Sequence, residues 1–276
     1  MAKHYSRLKA EIRQRWRQHY KEQMQREGKR LPPGFQESEP TDGDLFPPDA
    51  ERVARRAGCL AAVALRGLAA TWELEQQTEF LPQLLEWIES SPLIFEMEQE
   101  EMDVVKTPAG TLDERSMVNA CWRWEGAAAL VASLGRLSLP AHDSVVETKS
   151  CGDAAGLFLP YKELSDHIEN AVFDPAFDRF AYANKALSIH WRLRQFVHAE
   201  QKPIDFADFA KGVTWAQFNL TGVPLAKGDL AIHGVPISEA TSEMVSGTMS
   251  IAAERHTAAN WLIGWSELYS EVDNPT

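Results

Sequence analysis

Residues 111–135 read TLDERSMVNACWRWEGAAALVASLG. Met117, Ala120, Cys121, Trp124, Ala128, Val131 and Leu134 recur at three- and four-residue steps, the period of a helix with one buried side, and Leu130 widens that side. Thr111 and Glu114 have the spacing of a capping box, the turn Thr107-Pro108-Ala109-Gly110 precedes them, and Gly135 closes the run. The expected element is a long core helix, and Glu125 is a carboxylate placed inside it.

The same period appears on both sides of this stretch. Asp49 caps an Ala-rich run over 50–72, in which Ala57, Ala61, Ala64 and Gly67 permit close helix packing. Residues 79–90 form an amphipathic helix. Ser91-Pro92 begins another whose acidic face, Glu96 to Glu101, is expected in solvent. Residues 138–160 read as irregular, 161–172 and 176–199 as two helices, and 239–265 as the last helix. Between 223 and 237, Gly228-Asp229, Leu230-Ala231-Ile232 and Gly234-Val235-Pro236-Ile237 predict one small hairpin. The fold class is therefore all-α, mostly helical with at most one small β-hairpin near 223–237.

Three segments organise the chain. Residues 1–30 carry ten Lys or Arg against three Asp or Glu and form a basic helical arm striped by Tyr5, Leu8, Ile12, Trp16, Tyr20 and Met24. Its stripe fits either its own acidic body or, as an arm, a partner subunit or an RNA. Residues 31–48, with five prolines and two glycines, are a Pro-rich linker. Residues 49–276 are expected to be a single helical domain.

The net charge of −12 is concentrated after residue 30. An acidic body repels nucleic acid and anionic lipid and tolerates a basic protein partner. No apolar stretch approaches the roughly 18 residues of a membrane span, and the charged N-terminus is unlike a secretory signal, so a cytoplasmic location is expected. Cys59, Cys121 and Cys151 lack Cys-x-x-Cys spacing and read as reduced core thiols. His142, His167 and His233 read as isolated and exposed. Neither phosphate-binding glycine loop nor nucleophile elbow occurs, and His-Glu-x-x-His is missing, so no cofactor and no metal are expected.

The segment Ser250-Ile251-Ala252-Ala253-Glu254-Arg255-His256-Thr257-Ala258-Ala259-Asn260-Trp261-Leu262-Ile263-Gly264-Trp265, closing with Glu271-Val272-Asp273, resembles the signature of a bacterial family catalogued as domain of unknown function 4272. Asn119-Ala120-Cys121-Trp122-Arg123-Trp124-Glu125 with Leu134-Gly135 is similar to that family's tryptophan-arginine-aromatic-glutamate helix. Gly228-Asp229-Leu230 with Gly234-Val235-Pro236-Ile237 is similar to its turn before the last helix. The resemblance covers roughly 50–276 and implies a bacterial, mostly helical protein without an established activity.

Candidate chemistry rests on polar residues in apolar helices: Arg123 and Glu125, His190 and Arg192, and Glu254, Arg255, His256 and Asn260. At about 100° per residue, Glu254 and His256 point apart while His256 and Asn260 share a face, which argues against a compact Glu-Arg-His triad. One reading joins Glu125, Arg192 and either Glu254 or Arg255 in a buried ion-pair network. The other makes Glu125 or Glu254 a general base, with Arg192 or Arg255 holding an anion. Trp122, Trp124, Trp191 and Trp261 would be pocket walls in the second reading and core in the first. The leading functional expectation is a non-enzymatic protein that binds a protein partner, in the manner of an immunity or accessory protein. The alternative is a hydrolase or small-ligand enzyme with a Glu/Arg/His pocket.

Overall fold

Asp49 accepts the Arg52 backbone N–H at 2.8 Å and starts α1, Ala50–Ala69. A computed structural model describes residues 47–199, 202–274 and 276. The basic arm and the linker up to residue 46 lie outside the described residues. Helix α2 spans Leu74–Glu89, earlier than the pattern suggested, because Glu73 and Gln76 form a capping box ahead of the apolar run. A 3₁₀ turn, Pro92–Phe95, separates it from α3, Gln99–Lys106. Helix α4, Glu114–Ser133, is capped by Asp113, whose carboxylate accepts the Ser116 N–H at 3.0 Å. Thr111, expected to cap it, donates instead to the Pro108 carbonyl in the preceding turn.

The tight approach of α1 to α4 follows from small residues. A Cβ on Gly67 would stand 2.8 Å from the Ala120 Cβ and 2.8 Å from the Cys121 nitrogen. Helices α5, Thr148–Ala155, and α6, Tyr161–Glu169, complete this half; α5 lies in the region expected to be irregular. Val53, Leu60, Trp124, Leu130, Leu164 and Trp261 belong to its core. The acidic run corrects another expectation: Glu96 and Glu101 are buried, because Arg52 pairs with Glu96 and the fully buried Arg56 pairs with Glu98 and Glu101.

The second half is built on α7, Arg179–His198, capped by Asp178, and α8, Phe206–Gly212, a short helix that the sequence reading did not separate. Strands β1, Leu225–Ala226, β2, Asp229–Ile232, and β3, Val235–Pro236, form one antiparallel sheet in the order β1-β2-β3. Leu225 pairs with Leu230 and Ala231 with Pro236. The expected hairpin is thus two successive ones, turning at Lys227-Gly228 and His233-Gly234. All four of these residues have positive φ, the signature of two-residue turns whose twist matches the strands.

Helix α9, Ser242–Leu262, is capped by Thr241 and links the halves. Its Val245 and Ala252 enter the second core with Ile189, Leu193, Phe206 and Ile232, and its Ala258, Trp261 and Leu262 enter the first. The protein is mostly helical with a small antiparallel sheet, as expected. Among the described residues no helix is long and apolar enough to cross a membrane.

Candidate functional site

The polar residues singled out from the sequence separate into distinct sets, and the expected network of Glu125, Arg192 and Glu254 or Arg255 does not form. Arg255 Nε donates to Glu125 Oε2 at 2.9 Å. Its Nη1 donates to the Pro140 and Ala141 carbonyls and its Nη2 to the Ser144 carbonyl. Glu125 Oε1 accepts the Val146 N–H at 2.8 Å. This buried pair therefore clamps the loop before α5.

Arg192 turns elsewhere. Its Nε and Nη2 grip Asp229 of β2 at 2.7 and 2.5 Å, and Asp229 also accepts the Ile204 and Leu230 N–H groups. The partner of Arg192 is a strand residue 37 positions away. Arg123 pairs with Glu254 at 3.0 Å, close to the Tyr269 ring. Glu254 and Arg255, consecutive on α9, diverge by the rotation that one helical step imposes. Burial raises the Glu254 carboxyl against the opposing effect of Arg123.

Among the described residues Glu125, His190, Arg192, Glu254 and Arg255 do not converge: Glu125 and Arg255 hold each other, Arg192 turns to Asp229, and Glu254 turns to Arg123. A cavity of about 650 Å³ instead forms a groove between α7 and the first half of α9. His190 and Arg194 line it on α7, Ser242, Ser246 and Ser250 on α9, and Phe196, Val245 and Met249 are among its apolar walls. A volume of that size suits a small organic molecule. Trp122, Trp124, Trp191 and Trp261 do not line it. Trp261 is fully buried, and Trp191 stacks on Phe209 with centroids 4.5 Å apart.

His190 reaches the groove as the end of a relay whose proton positions can be read. Asn260 Nδ2 lies 3.3 Å from the Asp273 carbonyl and 3.1 Å from Asn274 Oδ1. A carbonyl only accepts, so this atom is the amide nitrogen and not the amide oxygen. With one of its two hydrogens shared between those two oxygens, the same nitrogen has the other for His256 Nε2, 3.2 Å away, which then accepts. A neutral His256 consequently carries its proton on Nδ1, which is 3.0 Å from His190 Nδ1. His190 Nδ1 accepts that proton, and its own proton sits on Nε2.

His190 Nε2 has no protein partner among the described residues, although the side chain is 95% buried. Both rings stay neutral at physiological pH. Burial, then Arg194, pulls His190 down to about 4, and burial, then His190, pulls His256 down to about 3. His190, which lines the groove, thus carries its N–H on the nitrogen opposite the one held by His256. Arg194 Nη1 adds a cation that, among the described residues, donates to the Thr276 hydroxyl at 2.6 Å.

His190, His256 and Asn260 were legible as polar interruptions of apolar helices. Arg194 and the serines were missed. Ser242, Ser246 and Ser250 at four-residue spacing, flanked by Val245 and Met249, were the available signal. Two other histidines depart from expectation: His142 is buried with Nε2 2.9 Å from the Ala231 carbonyl, and His167, in α6, contacts Arg136 at 2.6 Å. His233 is exposed as expected. Burial raises the thiols of Cys59, Cys121 and Cys151, the last to about 12, which makes all three poor nucleophiles. Among the described residues no cluster of three or more His, Cys, Asp or Glu side chains could hold a metal ion. No family model, curated protein or solved structure matches the chain.

Proposed function

We propose that this chain is a non-catalytic binding protein whose α7–α9 groove takes a small amphipathic molecule with an anionic head. The observation that carries this reading is the relay from Asn260 through His256, which leaves His190 Nε2–H as a neutral, oriented donor beside Arg194. Both groups donate, so the complementary ligand accepts. The N-terminal turns of α9, which border the groove, add positive dipole potential, and Phe196, Val245 and Met249 suit an aliphatic tail. A proton on Nε2 makes His190 an unsuitable general base at neutral pH. Ser250 Oγ, for its part, donates back to the Ser246 carbonyl rather than to a base.

Octanoate and octylamine, matched in tail and opposite in charge, test the assignment by thermal shift and calorimetry. Octanoate is expected to bind saturably and raise Tm, octylamine to do neither, and Arg194→Met to weaken octanoate by about tenfold. Equal responses to the two amphiphiles, or none to octanoate, would overturn it.

A second reading keeps the expected basic protein partner, and a different surface favours it. Trp215 and Phe209 are 60% and 40% exposed and pack with Trp191 and Phe218 in one aromatic cluster. Exposed aromatics on a chain of net charge −12 suit an anchor and a steering field for a basic partner. That partner's binding should be lost in Trp215→Ala while octanoate binding persists.

A further inference from the structure

A second cavity, about 350 Å³, shares no lining residue with the groove. It lies beside Lys185 and Ile189 of α7 and Ala252 of α9, and the loops carrying Leu139, His142 and Val223 complete it. His142 is 91% buried. Its Nε2 faces the Ala231 carbonyl at 2.9 Å and must donate to it, which leaves Nδ1 as a lone pair with no partner among the described residues. Burial lowers the ring's proton affinity against the pull of Asp143, so the ring is neutral and Nδ1 accepts.

Lys185, partly buried on α7, makes no hydrogen bond or ion pair with the described residues. Its Nζ lies beside Gly222, 3.7 Å from where a Cβ on that glycine would stand, and both residues line the cavity. Arg255 also borders the cavity, but Glu125 and three carbonyls occupy its guanidinium, which makes it wall and not ligand. Leu139, Ile189 and Val223 supply apolar surface.

We propose that this cavity binds a small carboxylic acid bearing its own hydrogen-bond donor next to the carboxylate, a 2-hydroxy or 2-amino acid with an apolar side chain. The carboxylate meets Lys185, the adjacent O–H or N–H donates to His142 Nδ1, and the side chain lies on Leu139, Ile189 and Val223. This differs in kind from the groove, where both polar groups donate. A cationic site lined partly by an acceptor discriminates against a plain carboxylate, because that ligand leaves the imidazole lone pair dry and unpaired.

Calorimetry on the full chain with 2-hydroxy-4-methylpentanoate, 4-methylpentanoate and L-leucine tests the proposal. Saturable binding of the hydroxy acid or of leucine is expected, about tenfold tighter than for 4-methylpentanoate. Lys185→Met, which keeps the aliphatic stem, should lower it about tenfold, and Arg194→Met in the groove should leave it unchanged. Three results overturn it: no saturation by either donor-bearing acid, equal binding of 4-methylpentanoate, or a loss that follows Arg194→Met instead of Lys185→Met. The third result would move the acids into the groove, whereas the octanoate and octylamine comparison is made independently, so the two assignments fail separately.

Discussion

Arg255 and His256 are neighbours on α9 with opposite fates. Each Arg255 nitrogen has a partner inside the chain, in Glu125 or the carbonyls of Pro140, Ala141 and Ser144. His256 donates its one N–H to His190, and the chain of bonds ends on a residue that lines a cavity. The comparison teaches what separates scaffold from site here. Burial and charge are common to both regions; what differs is whether the last donor is consumed by the protein or left for a ligand.

The clamp should produce the largest effect when broken. Arg255→Met strands a buried carboxylate and the loop carbonyls, and a loss of about 3–5 kcal/mol in urea unfolding is expected. The double variant Glu125→Met with Arg255→Met should recover part of that loss, since no charge is then left unpaired. If the single variant cost under about 1 kcal/mol, the clamp would not be scaffold.

The relay predicts a different signature. Both rings titrate below the ordinary imidazole value of 6.5, at about 4 and about 3. The stability that the neutral rings contribute is therefore complete above that value. It falls as pH drops through the window down to about 4, because the unfolded chain takes up protons that the fold refuses, by an amount on the order of a few kcal/mol. Urea melts between neutral pH and pH 4 should show this slope, and the double variant His190→Gln with His256→Gln should flatten it. Away from both regions, Gly67→Ala drives a methyl against Ala120 and the α4 backbone, and a Tm measurement should register about 1–3 kcal/mol of destabilisation.

The smallest effect in energy is the sharpest in logic. Asn260→Asp replaces the donating amide with a carboxylate, so His256 must donate from Nε2, accept at Nδ1 and reverse His190. Nε2 then becomes an acceptor, and octanoate should weaken by about tenfold, or about 1.4 kcal/mol in affinity, measured on protein shown to be folded by circular dichroism because the new carboxylate also faces the Asp273 carbonyl and Asn274 Oδ1.

Much of this architecture was legible because long helices repeat their apolar residues: α4, α7 and α9 followed from Trp124 and Val131, Ile189 and Leu193, and Ile251 and Leu262. The short helices α5 and α8 hold too few apolar residues to declare a period, and tertiary packing fixes them. Of the site, His190, His256 and Asn260 stood out as polar residues in apolar runs. Pairings across the fold did not, because nothing in the neighbourhood of Arg192 points to Asp229, and an acidic run reads as solvated until the buried Arg56 is placed beside it. Arg194 looked like any surface arginine on a helix.

Nitrogen NMR of the imidazole rings in the labelled protein at neutral pH reads the tautomers of His190 and His256 themselves. Two neutral rings of opposite tautomer are expected, His190 protonated at Nε2 and His256 at Nδ1, with a shift of His190 Nε2 when octanoate is added. A His190 ring that is charged, or protonated at Nδ1 with Nε2 bare, would contradict it.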